Sequence, residues 1–92
     1  ILSKFKNGSV EIKKGKKFTL DADLGFNDGD ENTVGIDYQE LIQDVKNGDI
    51  LLVDDGKIVL EVDSVKGNNA VTKVVVGGKV SNNKGINKKG GG

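Results

Sequence analysis

The fold of this chain is decided by the run Asp49-Ile50-Leu51-Leu52-Val53-Asp54-Asp55-Gly56-Lys57-Ile58-Val59-Leu60-Glu61-Val62. The apolar residues between Asp49 and Val53 are typical of a buried strand. Asp55-Gly56 then predicts a type I′ turn, because both residues tolerate positive φ. The residues after it alternate, with Ile58, Leu60 and Val62 on one face, and predict a second strand over Lys57–Val65. The run is therefore predicted to form a β-hairpin.

Short strands are predicted on both sides of this hairpin. They cover Ser9–Ile12, Lys17–Asp21, Val34–Asp37, Ala70–Val76 and Lys79–Ser81. Ala22–Thr33 is predicted to be a long loop, Tyr38–Val45 is the one predicted helix, and the tail from Asn82 is predicted to be loop. Val, Ile and Thr number 12, 7 and 3 against 2 Ala, which favours sheet. We therefore expect an all-β fold: one domain over residues 1–92, a small antiparallel barrel of about seven short strands with one short helical turn.

Two of the predicted turns share a pattern. Ile12-Lys13-Lys14-Gly15-Lys16-Lys17-Phe18 and Val45-Lys46-Asn47-Gly48-Asp49-Ile50-Leu51 each contain an apolar residue, a polar turn with glycine fourth, and the start of a strand. Small barrels use this pattern widely, so the repeat specifies turns and not ancestry.

The composition excludes several classes of site. The chain has no Cys and no His, which excludes disulfides, thiolate metal sites, ordinary zinc sites and imidazole bases. It has no apolar run of about 18 residues, so no membrane span is predicted. Three Phe and one Tyr are too few for the stacking platforms that bind single-stranded nucleic acid.

The segment Asp28-Gly29-Asp30-Glu31-Asn32 does not match the residue spacing of an EF-hand calcium loop. It is predicted to be a solvated loop.

The net charge of zero conceals an uneven distribution. Residues 1–19 carry six Lys and one Glu, net +5; residues 20–65 carry thirteen acids and two Lys, net −11; residues 66–92 carry six Lys, net +6. Two explanations of this charge distribution remain open: an ordinary solvated surface, or a basic rim that faces an anionic ligand.

Two short stretches are candidates for a site. Asp54-Asp55-Gly56 places two carboxylates at a turn, and Asn83-Lys84-Gly85 places a lysine in a loop whose backbone can present N–H groups. Turn chemistry alone explains the first stretch, and a solvated lysine alone explains the second. A metal-bound polyphosphate needs oxygen ligands for the metal and a cationic cradle lined by amides, which these two stretches would supply together.

With these stretches, the chain resembles the B (lid) domain of pyruvate kinases, in the bacterial form that ends in Asn-Lys-x-Gly-Gly-Gly. The resemblance extends over nearly the whole chain. It includes Phe18-Thr19-Leu20-Asp21-Ala22-Asp23-Leu24-Gly25, Val34-Gly35-Ile36-Asp37-Tyr38, Gly48-Asp49-Ile50-Leu51-Leu52 and the tail Asn87-Lys88-Lys89-Gly90-Gly91-Gly92. It implies a lid that closes over the active site of a TIM-barrel enzyme and clamps Mg-ADP or Mg-ATP while phosphoenolpyruvate transfers its phosphoryl group to ADP.

The resemblance also assigns roles to residues. Lys84, flanked by Asn83 and Gly85, is expected to contact the nucleotide phosphates, and Asp55 is expected to lie near the nucleotide-bound metal. Asp54 is expected to cap or pin its turn. Asn87 and Gly90 are expected to form the hinge, although the chain lacks the Pro that this segment often contains. No residue of the chain is expected to be catalytic in isolation.

Further expectations concern the whole enzyme. The chain begins at Ile1 without Met, and we expect it to be a piece of a longer, cytoplasmic enzyme that is a homotetramer and uses Mg²⁺ and K⁺. The isolated piece is expected to be an inactive monomer that binds no cofactor tightly. Its expected partners are its own TIM-barrel domain and ADP or ATP, with no nucleic acid and no membrane. A different interpretation stays open from the residues alone: a free-standing small β-barrel module that binds RNA or protein.

Overall fold

The structure, a computed structural model, describes residues 1–37 and 39–90. These residues form eight strands and one helix. The elements are β1 (Ser9–Ile12), β2 (Lys17–Asp21), β3 (Thr33–Gly35), α1 (Gln39–Asp44), β4 (Ile50–Val53), β5 (Ile58–Lys66), β6 (Asn69–Val76), β7 (Gly78–Ser81) and β8 (Ile86–Lys88). The all-β prediction is confirmed. Neither of the two described ranges contains a helix long and apolar enough to span a membrane.

The strands form two sheets. Six of them make a curled half-barrel in the order β3-β2-β6-β5-β4-β8, and β1 pairs with β7 in a separate two-stranded sheet. Neighbouring strands are antiparallel, as expected, except that β2 and β3 run parallel. Residues 22–32 connect β2 to β3, and a parallel pair requires such a long connection because a tight hairpin cannot join parallel strands.

The prediction that the tail from Asn82 is loop is wrong in part. Ile86–Lys88 forms β8 and pairs antiparallel with β4, in the register Val53↔Ile86, Leu52↔Asn87 and Leu51↔Lys88. Three residues are too few to show a period of two, and only Ile86 packs against the core. The strand exists because β4 offers it an open edge, and this is information that the local sequence does not contain.

The helix ends one residue earlier than predicted. It covers Gln39–Asp44, whereas the sequence predicts Tyr38–Val45; Tyr38 lies outside the described residues, as do Gly91 and Gly92. Leu41, Ile42 and Val45 are buried, so the predicted apolar face does meet the core.

The hairpin supplies the centre of the core. Ile58, Leu60 and Val62 are each at most 2% exposed, which confirms the predicted inward face of β5. Burial of one such side chain contributes about 1.5–3 kcal/mol. The N-terminal segment adds Leu2 and Phe5, which are also buried; no periodicity in residues 1–8 indicates this.

The two repeated turns have the same backbone geometry. Gly15 and Gly48 adopt φ of +87° and +92°. The Gly15 N–H donates to Val74 O at 2.8 Å, and the Gly48 N–H donates to Val62 O at 2.8 Å. In return, the Val74 N–H donates to Lys16 O at 2.9 Å, and the Val62 N–H donates to Asp49 O at 2.8 Å. The sequence repeat therefore does specify turns, and each turn extends the ladder between its strand and the neighbouring strand.

Candidate functional site

The turn between β4 and β5 carries the two candidate carboxylates. Asp55 and Gly56 have φ of 58° and 88°, and the Lys57 N–H donates to Asp54 O at 3.2 Å. This matches the predicted type I′ turn. Asp54 also has a positive φ, 55°, which the turn type does not require. The chain therefore bends one residue earlier than the sequence indicates.

The loop before β8 carries the candidate lysine. Its backbone is fixed from two sides: the Leu2 N–H donates to Lys84 O at 2.9 Å, and the Asp54 N–H donates to Gly85 O at 3.0 Å. Asn83 has a left-handed φ of 60°, and its N–H donates to Ser3 O at 3.4 Å. Within residues 1–37 and 39–90, the N–H groups of Lys84 and Gly85 donate to no backbone carbonyl. Two of the three candidate amides are thus available to an anion.

Strand pairing brings the turn and the loop together. The hydrogen bond from Asp54 to Gly85 continues the β4–β8 ladder one step beyond Val53↔Ile86. The Lys84 Nζ lies 4.0 Å from Asp54 Oδ1. We call the group formed by Asp54, Asp55, Asn83, Lys84 and Gly85 the β4–β8 corner. Its carboxylates and its lysine are separated by about a third of the chain in sequence, and they are neighbours because β8 pairs with β4.

The two aspartates of the corner have different surroundings. The Asp54 side chain is 19% exposed and faces Lys84, whereas Asp55 is exposed to solvent. The expected roles, Asp55 near a nucleotide-bound metal and Asp54 pinning its turn, stay predictions. Among the described residues there is no group of three or more acidic side chains that could hold a metal ion.

A second Asp–Lys pair lies at the other end of the same ladder. Lys88 Nζ is 3.6 Å from Asp49 Oδ2 and donates to Asp44 O at 3.4 Å. Asp49 Oδ2 also accepts from the Lys46 N–H at 3.0 Å. The short β8 is thus held by an ion pair at each end.

The expected hinge residues occupy different positions in the structure. Asn87 is the middle residue of β8, paired with Leu52, so rotation there would break the ladder. Gly90 follows the last ladder hydrogen bond, from the Lys89 N–H to Ile50 O at 2.8 Å, and has φ of +91°. Of the two, Gly90 is the residue whose backbone is unconstrained by strand pairing.

The N-terminal segment contributes to the corner in a way that the sequence does not indicate. Leu2 and Ser3 bind the backbone of the lysine loop, and the Phe5 N–H donates to Asn82 Oδ1 at 2.8 Å. The sequence offers no signal for this contact, because an asparagine in a loop usually bonds its own neighbouring backbone, whereas Phe5 and Asn82 are 77 positions apart.

A separate groove of about 390 Å³ contains part of the lysine-rich turn. Its lining consists of Glu11, Ile12, Lys13, Lys16, Lys17, Glu31 and Asn32. Two glutamates offset two of the three lysines, and the groove shares no residue with the corner. This groove is therefore not the basic rim around an anionic ligand that is one of the two explanations of the charge pattern.

The chain is similar to known proteins over nearly its whole length. A family model described as pyruvate kinase, barrel domain, matches residues 2–92. Pyruvate kinase II of Salmonella typhimurium is 56% identical over 91 residues, which is 99% of this chain and 19% of that protein. The pyruvate kinase of Haemophilus influenzae is 53% identical over the same shares. The chain thus spans about a fifth of the length of these relatives. A crystal structure of a pyruvate kinase from Cryptosporidium parvum superposes with a TM-score of 0.90 over 97% of this chain and 18% of that one, at 22% identity, which indicates the fold alone.

Proposed function

This chain belongs to the pyruvate kinase family, and from that membership we propose that it is the lid of such an enzyme. In this proposal the 92 residues close over an active site on the remaining four-fifths of the protein. Closure excludes water and clamps Mg-ADP while the phosphoryl group of phosphoenolpyruvate is transferred to ADP. Phosphoryl transfer is governed by positioning and charge stabilisation, so a lid that brings a cation and amides to the phosphates suits the reaction.

One observation supports this proposal most strongly: the pairing of β8 with β4 places Lys84 beside the Asp54-Asp55 turn. A polyphosphate with its metal carries negative and positive charge side by side. The corner presents the complementary arrangement, with an ammonium group and two available N–H groups next to an exposed carboxylate. Neither stretch alone would be more than an ordinary turn or loop.

Each residue of the corner then has a role. Lys84 binds a nucleotide phosphate through its ammonium group, and the N–H groups of Lys84 and Gly85 add neutral donors. Asn83 supplies the left-handed bend that presents them. Asp55 lies near the Mg²⁺ of the nucleotide, where an exposed carboxylate would act directly or through a coordinated water, as Mg²⁺ usually keeps several waters.

The rest of the enzyme completes the site. The described residues contain no cluster of metal ligands, so we assign K⁺ and the other Mg²⁺ ligands, together with the phosphoenolpyruvate site, to the TIM-barrel portion. We propose that the lid moves about the backbone near Gly90. We also propose that the complete enzyme is a cytoplasmic homotetramer, and that the isolated lid is an inactive monomer.

Kinetics of the full-length Lys84→Ala enzyme test the proposal. The contact of an ammonium with a phosphate contributes about 1.5–3 kcal/mol, so kcat should fall about ten- to a hundredfold if the contact is made only in the closed state. The KM for phosphoenolpyruvate should change little, because that substrate binds away from the lid. Wild-type values of both kcat and the KM for ADP would show that Lys84 does not contact the phosphates.

A further inference from the structure

We propose that Asp54 is a positioning residue for Lys84: its carboxylate holds the Lys84 ammonium group at the β4–β8 corner before a nucleotide arrives. This inference rests on the proposed function, because it concerns how the phosphate-binding lysine is oriented. It assigns to Asp54 more than the structural role expected from the sequence.

The first argument is the restraint on Asp54. Its N–H donates to Gly85 O at 3.0 Å, and its carbonyl accepts from the Lys57 N–H at 3.2 Å. Its backbone is therefore fixed to the lysine loop on one side and to the turn on the other. Lys84, in contrast, carries a four-carbon stem with many rotamers and a side chain that is 39% exposed. A carboxylate on this restrained backbone, 4.0 Å away, reduces the conformational freedom that the lysine must lose when it binds an anion.

The second argument is the backbone of Asp54. A type I′ turn needs positive φ only at its two central residues, here Asp55 and Gly56. Asp54 nevertheless has φ of 55°, in a region that L-residues other than Asn and Asp rarely adopt. Such a conformation persists where the surrounding structure requires it and is concentrated at functional sites. The consequence visible here is that the Asp54 carboxylate lies beside Lys84.

The third argument is a comparison with the Asp49–Lys88 pair at the other end of the ladder. In that pair both side chains have a further partner: Lys88 also donates to Asp44 O, and Asp49 also accepts from the Lys46 N–H. An ammonium group has three donors. Within residues 1–37 and 39–90, the one partner of the Lys84 ammonium is Asp54. The corner pair therefore leaves two donors of its lysine for a phosphate, whereas Lys88 keeps only one.

A double-mutant cycle in the full-length enzyme tests this inference. Asp54→Asn keeps the size of the side chain and tolerates positive φ, but it removes the charge. Since an exposed ion pair is weak, kcat/KM for ADP should fall only about two- to fivefold, with the KM for phosphoenolpyruvate unchanged. In the Lys84→Ala background the same substitution should have no further effect, because the group that Asp54 positions is gone.

Asp49→Asn is the matched control, since it breaks an Asp–Lys pair that flanks the same two strands. It should leave kcat/KM for ADP at the wild-type value. An equal loss in Asp49→Asn and Asp54→Asn would mean that both act through the stability of β8, and would overturn the inference. So would an equal effect of Asp54→Asn with and without Lys84, or an improved kcat/KM for ADP.

The same set of variants separates this inference from the proposed function. If Lys84→Ala lowers kcat and Asp54→Asn changes nothing, Lys84 is the phosphate contact and Asp54 does not position it. If Lys84→Ala itself has no effect, the proposed function fails and the inference fails with it.

Discussion

The role of Asp55 can be tested by removing its charge without disturbing its turn. Asp55 has φ of 58°, and asparagine adopts this conformation as readily as aspartate. Asp55→Asn should therefore leave the hairpin and its stability intact. In the full-length enzyme it removes one negative charge near the proposed position of the nucleotide-bound Mg²⁺.

The expected size of the effect follows from the exposure of Asp55. Two unit charges 4 Å apart in water attract by about 1 kcal/mol, and a divalent ion doubles this to about 2 kcal/mol. Asp55 is exposed, so salt at physiological strength screens part of the attraction. About 1 kcal/mol remains, which corresponds to an increase of about fivefold in the KM for Mg-ADP.

Steady-state kinetics with ADP and free Mg²⁺ both varied would measure this increase. The deficit should shrink as free Mg²⁺ rises, because mass action refills a weakened metal position. The control is Asp63→Asn, which changes the net charge by the same amount. Asp63 lies on β5 and is not part of the β4–β8 corner. A KM for ADP that does not respond to Asp55→Asn, or a deficit that is the same at all Mg²⁺ concentrations, would refute the assignment of Asp55 to the metal.

Three other predictions concern the isolated chain. Its far-UV circular dichroism should be that of a sheet protein, and a spectrum dominated by helix would contradict the fold. Calorimetry should detect at most weak binding of Mg-ADP, since the corner supplies only part of a site; sub-micromolar affinity would show that the lid is a complete site. Gly15→Ala and Gly48→Ala should each destabilise the fold by about 1–2 kcal/mol in urea unfolding, because both residues have positive φ, which strains alanine. The space at each Cβ is open, so no steric clash adds to this loss. Clearly unequal losses would contradict the equivalence of the two turns.

The sequence predicts well those features that arise from neighbouring residues. The alternation in Lys57–Val65 and the tolerance of Asp55-Gly56 for positive φ are local properties, and the structure contains both the strand and the turn. The glycine repeat at Gly15 and Gly48 is of the same kind. In each case the chain within a few residues determines the conformation, whatever lies across the sheet.

Features that depend on distant pairing could not be predicted in this way. β8 is a strand only because β4 lies beside it, and the parallel pairing of β3 with β2 depends on the course of the loop between them. The position of Asp54 next to Lys84 depends on the same β4–β8 register. The residues of the candidate site were thus identifiable from the sequence with the help of a family resemblance, whereas their contact was not.

The order of the strands also determines which strand edges are open to pairing with another chain. The two edge strands of the six-stranded sheet, β3 and β8, have only three residues each. The long, valine-rich β5 and β6 lie inside the sheet and pair with a strand on both sides. A free edge is the template on which another chain adds a strand, and a three-residue edge is a poor template. Next to the edge strand β3, Leu2 forms an isolated antiparallel bridge with Ile36, which covers part of that edge. Loss of β8 would uncover the apolar edge of β4, so a chain truncated before Ile86 should polymerise at concentrations where the intact chain stays dispersed.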